Sequence, residues 1–422
     1  MAPKFIRLPL LLGAFFLVFL LGVHVGSRRN ILNEKSDVIN LFSNVKLNKE
    51  LQSMKEESLK SFSFAYNKTH LWSMRLANED YYRIARTLPC RSVTYVGGLK
   101  NESMDSCSQA TINEFSIEST LQAQKWIHDH QNPANCENKK FAIIQKYAGS
   151  GFGSTIHQIL WAFGTAIGEG RIAVYQVPGN WLYGSCSLSN PDCIFLPISN
   201  CSVPADLDFK KVTLINANID HWFKPVYPPI FANRSFNWYR SQLLFYLMRY
   251  NPQSLNHVQR RITESFDPPS IDLHHPFISV YVRRSDKVLN REMSQAYHLQ
   301  RYFSLFDEHA RRAKISNVYI NSEDTNVFKE FEEVNRNKKK YYKLLSINTT
   351  RNIVFSTLLG MSLEHRGEIV LEFLTDLFIE ANADLHAGTL TSNWCRLVDE
   401  IRLVLGKRIP YYTPEHRFLV DV

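Results

Sequence analysis

Residues 277–287, FISVYVRRSDK, place two arginines, an aspartate and a lysine at the exit of a β-branched, apolar run. The run has the composition of a buried strand. Open α/β sheets bind ligands outside the carboxyl ends of their parallel strands, so charges there project into a crevice rather than onto a solvated face. Guanidinium groups at Arg283 and Arg284 suit a phosphate, which they can meet with planar, paired hydrogen bonds. The alternative is an arginine pair with Asp286 closing a surface turn. Glu292 lies a few residues beyond, and a positioned carboxylate near a cationic cluster can serve as a general base. Tyr302 extends the same group.

Two further patterns carry chemistry. In residues 141–175, FAIIQ predicts a strand, AGSGFGST a glycine loop with Gly149, Gly151 and Gly153, IHQILWAFGTAIG an amphipathic helix and RIAVY a second strand. Such a βαβ unit lets backbone approach a phosphate closely, and the free amides at the helix start favour negative charge. The second strand ends in Tyr175, Gln176 and Val177, without the acidic residue that holds a dinucleotide's ribose, and no P-loop lysine is present. Glycines that merely allow tight strand-to-helix packing are the other interpretation. Nearer the carboxyl terminus, VYINSED at 318–324 predicts a strand ending in Glu323 and Asp324. Residues 369–381 predict an apolar helix containing Asp376, and ADLHAGT leads through Thr391, Ser392 and Asn393 into a last helix. Ser392 serves as an N-cap first and an anion ligand second. Asp376 on an apolar face needs a partner, because an unpaired buried carboxylate costs several kcal/mol.

These residues need elements to position them. A chain of 422 residues, 45% hydrophobic, can bury two cores. The proline-rich connector DPPSIDLHHP at 267–276 divides residues 71–275 from 276–422. Residues 8–25 are 18 without a formal charge, crossing about 27 Å as a helix, and predict an uncleaved signal anchor after a tail of residues 1–7. Residues 26–70 predict a helical stem able to self-associate into a homodimer. Five sequons, at Asn67, Asn101, Asn200, Asn233 and Asn348, all follow the span and predict a lumenal carboxyl-terminal part. Cys90, Cys107, Cys136, Cys186, Cys193 and Cys201 cluster apart from Cys395, as disulfides in an oxidising compartment do, and no zinc spacing is present. The net charge of +9 fits an anionic small ligand or an acidic membrane surface, with no nucleic-acid motif beside it. Asp206-Leu207-Asp208 is a literal D-x-D, but it follows Ser-Val-Pro-Ala instead of an apolar strand, so no metal site is expected there.

GSGFGSTIHQ, VRRSDKV, VYINSED and ADLHAGTLTSNWCR together resemble the α1,6-fucosyltransferase family, over about residues 136–205 and 277–405. The resemblance implies an α/β, GT-B-like two-domain glycosyltransferase with a Rossmann-like nucleotide domain, acting by inversion on GDP-fucose without a metal cofactor. It implies that Arg283 holds the β-phosphate of GDP while Arg284 and Asp286 shape the loop. Glu292 would deprotonate the acceptor hydroxyl, with Lys287 beside it. Asp376 would accept from the guanine edge, Ser392 would contact phosphate, and Gly151 and Gly153 would line the donor site. Tyr302, Glu323 and Asp324 match positions near the substrates. The chain departs from the family pattern at Tyr281, where histidine is usual, and at Asn393, a donor-site position where glutamine is common. Glu323 replaces an aspartate, and Ser150 and Ser154 replace a cysteine pair. The pairing Cys136–Cys201 matches the family, with Cys186–Cys193 and Cys90–Cys107 as local loops. Cys395 loses its usual partner to Gly388 and would remain a thiol. The sequence ends soon after Tyr412, short of the SH3-like domain of animal core-fucosylating enzymes. The expected protein is a Golgi type II membrane fucosyltransferase acting on a GlcNAc-containing glycan. The rivals are an α1,2- or protein-O-fucosyltransferase and a non-catalytic glycan-binding protein.

Overall fold

The computed structural model describes residues 116–204, 208–218, 226–284, 288, 295–351, 353, 355–389, 391–407 and 411–414. All of them belong to one compact unit, Ser58–Val422. The predicted span and stem lie outside the described residues, as do Asn67, Cys90, Asn101, Cys107, Asp206, Asp286, Lys287 and Glu292. Among the described residues no helix is long and apolar enough to cross a membrane.

Helix α1 (Ile117–Gln131) starts at Ser116, whose side chain accepts the Ser119 N–H at 3.1 Å. The predicted βαβ unit follows: β1 (Phe141–Gln145), α2 (Phe152–Gly168) and β2 (Ile172–Tyr175), with β3 (Val212–Asn216) completing a parallel sheet in the order β2-β1-β3. All five residues of β1 are buried, as a central parallel strand covered on both faces requires. Helices α3 (Phe236–Leu247) and α4 (Pro252–Ser265) come next. Asn251 caps α4 by accepting the Ser254 N–H at 2.9 Å, and proline occupies the first turn, where no N–H is needed.

The proline connector carries cis bonds before Pro268 and Pro276 and delivers the chain into β4 (Phe277–Val282). Then come α5 (Leu299–Arg312), β5 (Asn317–Ser322), α6 (Asn326–Asn337), β6 (Lys343–Leu345), α7 (Phe355–Leu359), α8 (Leu363–Asn382), β7 (Leu385–Gly388), α9 (Asn393–Val404) and β8 (Tyr411–Tyr412). The sheet order is β6-β5-β4-β7-β8, parallel throughout. The chain steps outward from β4 to β6, then returns to lay β7 on the other side of β4. The strand order therefore reverses between β4 and β7, the crevice where open α/β sheets hold ligands. The first sheet reverses in the same way at β1, between β2 and β3.

Helix α9 packs on α2 and α3, and α8 packs on α4, so the last helices carry the second sheet's chain back onto the first sheet's layer. One core runs from β1 and α2 through α8 and α9, and another lies under β4 and β5 against α5 and α6. Helix α8 begins before the apolar stretch read from sequence. Ser362 caps it by accepting the His365 N–H at 3.2 Å, and its first turns are polar because they face solvent. The expected disulfides Cys136–Cys201 and Cys186–Cys193 are formed, and Cys395 is a buried thiol outside any disulfide. Of the described sequons, Asn233 and Asn348 are exposed and Asn200 is half-buried. Asp208 caps the turn that follows it, its side chain accepting the Lys210 N–H at 2.9 Å.

Candidate active site

A cavity of about 540 Å³ lies at the carboxyl ends of β1, β4, β5 and β7. Its floor follows from strand register. Val282 of β4 pairs with Ser322 of β5, so the residues that leave the two strands, Arg283 and Glu323, emerge side by side into the cavity. Arg283 Nη1 lies 2.9 Å from Glu323 Oε1, and the same oxygen accepts the Arg284 N–H at 2.7 Å. Glu323 thus fixes both the side chain of one arginine and the backbone of the next.

Opposite stand two helix N-termini. Gly151 is the N-cap of α2 and Ser392 the N-cap of α9, and neither supplies a side-chain cap to its helix. The first-turn N–H groups of both helices are therefore available to an anion, with the positive ends of both dipoles behind them. Gly153 makes the meeting possible, since a Cβ there would sit 3.0 Å from the backbone carbon of Asn393 and the nitrogen of Trp394. Two departures from the family pattern are one contact: Asn393 Nδ2 donates to Ser154 Oγ at 2.6 Å. Ser150 shares a hydrogen bond of 3.1 Å with Thr155. Ser150 and Ser154 thus hold separate partners, one within the start of α2 and the other on α9.

Asp376, on α8, also lines the cavity, and its Oδ1 accepts from the Tyr319 hydroxyl. Burial pushes this carboxyl up to about 6, against the pull of Arg351. One helical turn on, Glu380 accepts from Asn321 Nδ2 at 2.7 Å and from Trp394 Nε1 at 3.0 Å, and burial pushes it up to about 8. Aromatic rings pave the wall between these groups and the helix ends. Trp394 stacks on Tyr281 at 5.9 Å and neighbours Phe152 and Phe373. Burial holds the Tyr281 hydroxyl well above its ordinary value, so it is a neutral donor where histidine is usual in the family.

The structure brings together Arg283, Glu323, Gly151, Gly153, Asp376, Ser392 and Asn393 around this one cavity. Arg284, Asp324 and Tyr302 do not line it, because each is committed elsewhere. Arg284 donates to Glu330 at 2.7 and 2.8 Å, to Asp324 at 3.2 Å and to the Tyr297 carbonyl, which braces the chain leaving β4 against α6. Asp324 also caps α6 by accepting the Asn326 N–H at 2.9 Å. Tyr302 is fully buried, and its hydroxyl shares a 2.6 Å hydrogen bond with Thr389 just after β7.

Several lining residues were not singled out from sequence: Arg240, Arg351, Arg396, His157 and Gln158. Arg351 follows the end of β6, and that position was the available signal. Its Nη1 donates to Asn321 Oδ1 at 2.9 Å and to the Ser322 carbonyl at 3.0 Å, holding the guanidinium over β5. Arg240 lies inside the aromatic helix α3 and gave no signal. With Arg283, Arg240, Arg351 and Arg396 facing Glu323 and Asp376, the cavity carries more positive than negative charge, as an anionic ligand demands. Among the described residues no cluster of carboxylate, histidine and cysteine side chains could hold a metal ion.

Residues 230–408 match the sequence model described as alpha-(1,6)-fucosyltransferase N- and catalytic domains. An alpha-(1,6)-fucosyltransferase of Drosophila melanogaster is 21% identical over 322 residues, covering 70% of this chain and 48% of the relative. The chain thus spans about half the length of that curated relative. Among solved structures, POFUT1 without ligand and POFUT1 in complex with GDP-fucose align with 10% and 11% identity. Each covers 66% of this chain, with 99% and 98% of the POFUT1 chains covered and a TM-score of 0.37 in both cases.

Proposed function

From a chain whose residues 230–408 belong to the α1,6-fucosyltransferase family, we propose a glycosyltransferase that moves fucose from GDP-fucose to a hydroxyl of a GlcNAc-containing glycan. The observation that carries this is the cavity in which Arg283, oriented by Glu323, faces the N-termini of α2 and α9. Displacement at an anomeric carbon expels a nucleoside diphosphate, so a site must receive charge on the departing phosphate and a proton from the incoming hydroxyl. Arg283 and the helix amides suit the first task, and ionised Asp376 suits the donor edge of guanine. Attack from the face opposite the leaving group inverts the anomeric centre. The acceptor O–H proton goes to Glu292, the base the resemblance implies, as the bond from the anomeric carbon to the β-phosphate oxygen breaks.

The arginines and helix dipoles supply positive charge, so the reaction is proposed to run without a metal. Acceptor and linkage are proposed as the N-glycan core and α1,6, from the family resemblance. The place proposed is the Golgi membrane, with residues 8–25 as anchor, the catalytic part lumenal and the stem as dimer contact. Mass spectrometry and linkage analysis of an N-glycan panel incubated in EDTA with GDP-fucose and the full-length protein test the proposal. A glycan heavier by one deoxyhexose, linked α1,6 to GlcNAc, is the expected product. An α1,2 product or a fucosylated protein hydroxyl corrects the acceptor, and GDP-fucose binding without any product contradicts the transferase.

A further inference from the structure

His157 and Gln158 lie one turn beyond Gly153 on α2, and both line the cavity. His157 is 3% exposed, and its Nε2 lies 3.1 Å from Glu400 Oε2, while Arg240 Nε lies 2.6 Å from Glu400 Oε1. Burial alone would raise the Glu400 carboxyl, but Arg240 and His157 beside it hold it below its ordinary range. It is a carboxylate, which only accepts, so the ring hydrogen of His157 sits on Nε2. Burial, helped by Arg240, holds the imidazole below its ordinary value despite Glu400, and the ring is neutral with its lone pair on Nδ1.

Among the described residues nothing donates to that Nδ1, and nothing donates to Gln158 Oε1, although both atoms are buried. Each buried acceptor left without a donor costs about 1–3 kcal/mol. Two of them, on adjacent residues of one cavity wall, call for a ligand with hydrogens to give. A phosphate has none to offer them. The same wall carries Trp161 and Arg240. A pyranose meets all four groups: hydroxyls donate to Nδ1 and Oε1, a ring or hydroxyl oxygen accepts from Arg240, and the C–H face rests on the indole.

We infer that His157, Gln158 and Arg240 form a sugar subsite that takes the hydroxyls of a single glycosyl unit. The inference rests on the transferase reading above. The unit is either the transferred sugar of the donor or the terminal sugar of the acceptor, and the test separates the two.

The test titrates GDP and GDP-fucose calorimetrically into the full-length protein and measures the acceptor KM, in wild type, His157→Gln and Gln158→Leu. The glutamine amide of His157→Gln can still donate to Glu400 but presents nothing at the Nδ1 position, so it separates the subsite from the packing. GDP affinity is expected to stay near wild type in both variants. If the subsite holds the donor's sugar, GDP-fucose binding weakens about tenfold, the worth of one good hydrogen bond. If it holds the acceptor's sugar, GDP-fucose binding is unchanged and the acceptor KM rises by a similar factor. The subsite is overturned if all three quantities stay at wild type, or if GDP and GDP-fucose weaken equally. Wild-type protein that binds neither nucleotide contradicts the transferase reading itself, and the subsite with it.

Discussion

Arg283 and Glu323 are register mates one residue beyond the β4–β5 ladder, which ends at Val282 opposite Ser322, and they meet at 2.9 Å. The guanidinium is therefore aimed by two central strands. Because Glu323 also accepts the Arg284 N–H, losing its charge and losing its acceptor have separable effects. Glu323→Gln keeps an acceptor and is expected to lower kcat about tenfold. Glu323→Ala frees Arg283 to drift and is expected to lower it about a hundredfold, the usual effect of misplacing a reacting group by an ångström. Steady-state rates at saturating GDP-fucose check both, and an unchanged kcat in Glu323→Ala contradicts the orienting role.

Asp376 sets a pH dependence. Its native pKa of about 6 lies above the ordinary 3.8, so between those values the folded state binds more protons than the unfolded one. Stability consequently falls as pH rises through that window and stays lower above it, by on the order of 3 kcal/mol. The guanine contact proposed for Asp376 uses the carboxylate, so the GDP-fucose KM is expected to rise about tenfold for each pH unit below about 6. Asp376→Asn keeps an acceptor for Tyr319, and above pH 6 it is expected to melt higher than wild type while binding GDP-fucose more weakly at every pH. Thermal melts and KM profiles from pH 5 to 8 decide the matter.

The site was only partly legible in the sequence. Local motifs exposed the parts that sit at strand ends and helix starts: Arg283 after β4, Gly151 and Gly153 at the start of α2, and Ser392 and Asn393 at the start of α9 all lie on the cavity. What escaped was set by register and helix packing, which single motifs do not encode. Nothing in RRSDK says that Arg284 turns to Glu330 while Arg283 turns inward. His157 and Arg240 looked like ordinary members of apolar helices, and they share Glu400 only because α9 packs on both α2 and α3. The βαβ unit and the β4 strand were legible because buried parallel strands are continuous apolar runs. The early start of α8 was not, since its first turns are polar.

The two helix N-termini meet over Gly153. Gly153→Ala places a methyl 3.0 Å from the backbone of Asn393 and Trp394, and overpacking of this kind costs about 1–3 kcal/mol. A lowered melting temperature with weakened GDP binding is expected. Gly151→Ala meets nothing within 4 Å and is expected to melt like wild type. Equal behaviour of the two variants contradicts the close approach.

Cys136–Cys201 closes a loop with a sequence separation of 65, and Cys186–Cys193 one of 7. In the chain-entropy account these are worth roughly 4 and 2 kcal/mol. Paired serine substitutions should therefore lower denaturant midpoints more for the first bridge than for the second. Peptide mapping that finds Cys136 alkylated in the native protein refutes the larger bridge.

The initial rate of fucosyl transfer by Arg283→Lys, beside Arg283→Ala and wild type, tests most directly the claim that Arg283 takes the charge of departing GDP. A planar guanidinium that pairs with phosphate and is held by Glu323 is not replaced by an ammonium. Both variants are expected to lose a hundredfold or more, the scale of removing one charge-stabilising group, with melting curves close to wild type. Full activity in Arg283→Lys would show instead that the residue only closes a turn at the end of β4.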